Sequence, residues 1–194
     1  MPERLCSVTF QSTAAGLTVT LPWYKHLAGR IYMIMPKPLT ARIESSKYRL
    51  FGKDWVDQPD ALGVFPTNGD RYTAEELWRM DHLSKPRYQG YLLQGLAASW
   101  HYMSEEHLKK VGETVESIMV LTGTEDNMIE HFHSDILVDG LESAGRKVEL
   151  KKFKDAGHAL HWELHNYNTI IEQFVLAAQE KTGKPAGTAP DEKP

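Results

Sequence analysis

Cysteine is almost absent: Cys6 is the only one in 194 residues, so no internal disulfide can form. A reducing compartment, the cytoplasm, is the expectation that fits. Long apolar runs are also missing. The longest, Ile31 to Met35, falls far short of the roughly 20 residues a membrane-spanning helix needs, and residues 1–20 show no secretory signal. No dense Lys/Arg block appears, and the formal net charge is -4. That balance argues against nucleic acid or an anionic membrane surface as partner. Internal repeats and a G-x-S-x-G motif are absent as well.

What remains is enough for a core, with 41% hydrophobic and 25% charged residues in a chain of one-domain length. Leu5 to Phe10 (LCSVTF) reads as a buried strand running into a loop, with Cys6 as a strand filler rather than a nucleophile. Residues 17–113 hold four of the five tryptophans in amphipathic stretches broken by prolines. Helices are expected over Trp23 to Met35, Thr40 to Phe51, from Thr73 (with Glu76 closing a capping box), over Pro86 to Met103, and from Ser104, separated by a loop over Gly52 to Asp70.

The pattern then alternates. Ser117 to Thr122 is a strand, Met128 to Ser143 a helix, Lys147 to Phe153 a strand, and Trp162 to Gln179 a long helix. Such alternation predicts an α/β fold of about three parallel strands with crossover helices. The organisation is then a first core strand and loop (1–16), a helical insertion (17–113), a C-terminal α/β unit (114–181) and a disordered Gly/Pro/charge tail (182–194).

Two loops following strands carry the chemistry: Gly123-Thr124-Glu125-Asp126-Asn127 and Asp155-Ala156-Gly157-His158. Ligands gather at the carboxyl ends of strands in open α/β sheets, so an acid on one loop and a histidine on the next can meet there. A carboxylate accepting from imidazole Nδ1–H fixes the ring's tautomer. Plainer readings stand beside this one. Asp126 suits a helix N-cap, Glu125 is an alternative acid, and His158 can be an ordinary loop histidine. A metal reading groups His158, His161 and His165 on one helical face, but H-E-x-x-H is not present, and His131 and His133 fall on different faces. The aromatics Trp23, Tyr24, Tyr32, Trp55, Trp78, Tyr91, Trp100 and Tyr102, with Met33 and Met35, either line an apolar pocket or, the favoured reading, form the helical region's own core.

The runs LTGTEDNMI and FKDAGHALHWE resemble the last two active-site loops of the α/β-hydrolase family, acid before histidine. PERLCSVTFQSTAAG resembles the strand after that family's nucleophile helix, and the tryptophan-rich helices resemble its cap. The resemblance covers about residues 2–180. It implies a partial α/β-hydrolase fold, Asp126 and His158 as triad acid and base, no cofactor or metal, and a small apolar substrate under the cap. It also implies that the nucleophile and the larger share of the strands would lie upstream of Met1, as in a truncated chain. No appreciable esterase activity is then expected, and the exposed edge of the first strand invites self-association. The alternative is a non-catalytic binding module.

Overall fold

A computed structural model describes residues 5–16, 22–35, 37–83 and 88–183. Its centre is a parallel sheet in the order β1 (Ser7–Gln11), β2 (Ser117–Gly123), β3 (Glu149–Phe153). Ser7 pairs with Ser117 and Phe10 with Val120, while Met119 pairs with Glu149 and Gly123 with Phe153. β2 lies between its neighbours and is apolar almost throughout, as a parallel strand covered on both faces must be. Its alternation divides the core. Ile118 and Val120 pack with Leu108, Leu137 and Leu141. Met119 and Leu121 point the other way, to Ala156, Leu160, Ile170, Ile171 and Phe174.

The first face is covered by α5 (Glu105–Thr114) and α6 (Phe132–Glu142), and the second by α7 (Leu160–Glu163) and α8 (Tyr167–Thr182). Between β1 and α5 the described chain is helical: α1 (Trp23–Ile34), α2 (Leu39–Leu50), α3 (Asn68–His82) and α4 (Tyr88–Trp100). Ser104 caps α5 by accepting from His107 N–H, with Glu105 and Glu106 at the positive end.

Several boundaries differ from the sequence reading. α3 begins at Asn68, not Thr73. Thr67 Oγ1 accepts from Asp70 N–H at 3.1 Å and donates to the Asp70 carboxylate at 2.8 Å, so a Thr-x-x-Asp box starts the helix inside the Gly/Pro-rich stretch. Thr73 instead donates to Gly69 O from within the helix. α6 starts at Phe132 rather than Met128, because Asp126 draws the N–H groups of Met128 and Ile129 into a turn of their own. The long helix expected from Trp162 is broken into α7 and α8 around His165 and Asn166.

The aromatics are the larger correction. Trp55 is buried, but Trp23, Tyr24, Tyr32, Trp78, Trp100 and Tyr102 are each more than half exposed, as is Met35. They are not the core of the helical region. That core is Ile43, Phe51, Trp55 and Tyr72, with Trp162 from the C-terminal unit joining it. Phe51 and Trp55 stack at 4.5 Å, and Trp162 meets Phe51 and Tyr72 edge-on at 5.8 Å. The side chains of Met33 and Tyr91, the expected helix start at Pro86 and the tail beyond residue 183 lie outside the described residues. No helix among the described residues is long and apolar enough to cross a membrane.

Candidate functional site: an acid–histidine pair at the carboxyl end of the sheet

Asp126 follows β2 and His158 follows β3, so neighbouring parallel strands deliver both to one end of the sheet. Asp126 Oδ2 lies 2.8 Å from His158 Nδ1, with the Asp126 side chain fully buried and the imidazole about a quarter exposed. Asp126 Oδ1 accepts from Met128 N–H and Ile129 N–H, both at 2.8 Å. A buried carboxylate is tolerable when such donors satisfy it. Asp126 is thus not the N-cap of α6, whose N-cap is His131, but the acceptor of a separate turn as well as the acid: each oxygen has its own task. With Nδ1–H donating to the carboxylate, Nε2 of the neutral ring holds the lone pair and can accept a proton. Glu125, the alternative acid, is engaged elsewhere, accepting from Lys53 N–H at 2.8 Å and pairing with the Lys53 ammonium at 3.5 Å.

The histidine loop is held at successive backbone groups. Gly157 N–H donates to Glu163 Oε1 at 2.8 Å, Ser12 Oγ donates to the His158 carbonyl at 2.9 Å, and Ala159 N–H donates to Leu50 O at 2.8 Å. Ser12 sits at the end of β1 with φ of 43°, a left-handed conformation uncommon for a non-glycine residue. Its N–H donates to Leu121 O and its hydroxyl to His158, which hold it there. Gly157 packs against the chain after α2 so closely that a Cβ would stand 2.5 Å from Phe51 C and 2.6 Å from Gly52 N. Only glycine fits that approach.

The last turn of α2 and the segment after it touch both loops. Tyr48 O accepts from Asn127 Nδ2, Leu50 O from Ala159 N–H, and Gly52 N–H donates to Glu163 Oε2 at 3.2 Å. A groove of about 230 Å³ opens beside it, lined by Tyr48, Phe51, Val56 and Asn127 together with four charged side chains, Glu44, Lys47, Lys53 and Asp57.

The three histidines of the metal reading do not share a helical face. His158 precedes α7, His161 lies on it and His165 lies in the turn beyond. No group of three or more His, Cys, Asp or Glu side chains among the described residues could hold a metal ion. His133 is buried on α6 against Phe132, and burial holds its imidazole below the usual value despite Glu130. Cys6 is half-buried in the approach to β1.

Sequence reasoning missed Ser12 and Glu163. Ser12 gives no signal beyond ending a strand. Glu163 was visible only as the acid between His161 and His165; its partners, Gly52 and Gly157, come from two separate loops.

The fold is that of the α/β-hydrolases. Solved structures similar to this chain include a putative non-heme bromoperoxidase from Mycobacterium tuberculosis (TM-score 0.64, 15% identity, 91% of this chain and 60% of that one). A thermophilic esterase matches with TM-score 0.54 and 18% identity, over 91% of this chain and 58% of its own. An α/β-hydrolase enzyme from a Medee basin deep-sea metagenome library matches with TM-score 0.53 and 15% identity, over 94% of this chain and 57% of its own. The chain thus spans less than two thirds of the length of these structures. No protein-family model and no curated protein matches the sequence.

Proposed function

We propose that this chain carries the acid and base of an α/β-hydrolase-type acyl-transfer site, Asp126 orienting His158, and that α1–α4 act as the cap over a small ester-type substrate with an apolar body. The observation that carries the reading is the 2.8 Å contact between Asp126 Oδ2 and His158 Nδ1 at the carboxyl end of adjacent parallel strands. In such a site His158 Nε2 takes the proton from a serine hydroxyl as its oxygen attacks the substrate carbonyl, then returns it to the leaving alcohol. A water repeats the cycle on the acyl-enzyme. Asp126 stabilises the imidazolium in both halves.

The sequence holds no G-x-S-x-G elbow. We therefore expect the polypeptide alone to show no appreciable turnover, because a triad without its nucleophile loses nearly all its chemistry. Assay of the purified chain with short p-nitrophenyl esters tests this. Turnover that disappears in His158→Ala would refute the inactivity. The pair itself is tested by proton NMR: a strongly downfield His158 Nδ1–H resonance is expected, absent in Asp126→Ala. Its absence from the wild type would sink the acid–base assignment.

A second reading rests on β1, which pairs only with β2 among the described residues and so presents its outer side as a sheet edge. Self-association through that edge is the partner interaction it favours. Sedimentation over a range of concentrations tests it, and a monomer throughout would exclude it.

A further inference from the structure

Glu163 lies outside the acid–histidine pair, yet it touches the peptide beside His158. Its carboxyl group links the histidine loop to the segment after α2: Oε1 accepts from Gly157 N–H at 2.8 Å and Oε2 from Gly52 N–H at 3.2 Å. The two peptides it joins are already in van der Waals contact. A Cβ on Gly52 would stand 2.1 Å from Asp155 O and 3.2 Å from Glu163 Oε2. Trp162, the preceding residue, is seated among Phe51, Trp55 and Tyr72. The single turn α7 therefore plugs into the helical region with one side chain and holds both loops with the next.

From this geometry we infer that Glu163 is a proton-sensitive positioning residue, a latch that sets how tightly the helical region's Gly52 and the histidine loop's Gly157 are held together. Ionised, the carboxylate offers both oxygens as full acceptors. Protonated, one oxygen becomes a hydroxyl and a weaker acceptor, so one of the two N–H groups loses part of its partner. The surroundings place this change within reach of neutral pH. Burial, together with the nearby carboxylates Glu125 and Asp126, pushes the Glu163 carboxyl up to about 7 against the pull of the two N–H groups.

Several other charged groups of this region have partners of their own. The Lys53 ammonium pairs with Glu125, His158 with Asp126, and Arg71 sits over the Trp162 ring while pairing with Asp60. The latch goes beyond the hydrolase reading and needs no turnover, so either can fail without the other.

The test is a pH titration of the full chain by NMR, following the Gly52 and Gly157 amides and the Glu163 side-chain carboxyl carbon. Both amides are expected to move downfield as pH rises, with one midpoint shared with the carboxyl carbon and lying near 7. Glu163→Gln should abolish both transitions. His158→Ala should keep them, which excludes the imidazole as their source. Amides that stay still, that follow separate midpoints, or that stop responding in His158→Ala overturn the assignment. Wild-type and His158→Ala titrations decide the matter even where Glu163→Gln does not fold.

Discussion

The sheet unit and the helical region of this chain are built to different standards. Around β2, Met119, Leu121, Leu141 and Leu160 are fully buried, with helices on both faces. On α1 and α4, Trp23 is 75% exposed, Leu93 65% and Trp100 78%. Both regions are rich in apolar residues, so composition does not separate them. The difference is that a central parallel strand offers two faces, each closed by helices, whereas among the described residues α1 and α4 have no comparable cover. Among the described residues of this region, α2, the chain after it and α3 form the packed centre, and that centre borrows Trp162 from the sheet unit. The candidate site lies at this join.

Phe51 should break the contrast most strongly. It is 1% exposed, stacks on Trp55 and meets Tyr72 and Trp162. Phe51→Ala should cost about 3–5 kcal/mol, the usual range for an aromatic lost from a core. Because the aromatic cluster spans both regions, loss of near-ultraviolet tryptophan dichroism should accompany the lowered midpoint in urea unfolding. Retained dichroism would show that the cluster survives without its central ring.

Glu163 gives a second, smaller effect with a definite sign. Its carboxyl is raised from 4.5 to about 7 in the folded state. Between those values the fold holds a proton that the unfolded chain has released. Stability is thus fully present below about 4.5, falls as pH rises, and is lost above about 7. The full shift corresponds to roughly 3 kcal/mol, and partial solvent exposure reduces this to about 1–2 kcal/mol. Urea midpoints across that window should fall with pH in the wild type, with this component missing in Glu163→Gln. Equal pH slopes in the two proteins would remove Glu163 from the account.

Substitutions on the exposed helices should matter least. Trp100→Ala should change stability by no more than about 0.5 kcal/mol, as at other surface positions. A loss comparable with that of Phe51→Ala would mean that α4 is covered in solution and that the contrast between the regions is smaller than the structure describes.

Much of the fold was legible in the sequence because its strands are short apolar runs bounded by turn residues. SIMVLT announces a strand, and KVELKKF, with its stronger alternation, a strand nearer a sheet edge; that SIMVLT is the central one is seen only in the sheet order. The acid and histidine loops were legible for the same reason: each begins where a strand ends. The start of α3 was hidden, since Thr67 and Asp70 lie in a stretch whose glycines and prolines suggest loop. The break between α7 and α8 carries no proline or glycine. Here the Trp162 and Glu163 side chains are committed to the helical region and the histidine loop, contacts that hydrophobic periodicity cannot represent.

By itself the sequence determined the strand order along the chain and the positions of Asp126 and His158, because local β-propensity and turn chemistry act over a few residues. Only the tertiary structure decided which aromatics are buried, that Asp126 serves both as a turn cap and as the imidazole's partner, and that Ser12 and Glu163 brace the histidine loop. Those properties depend on groups far apart in sequence meeting at fixed distances, and chain folding alone brings them there.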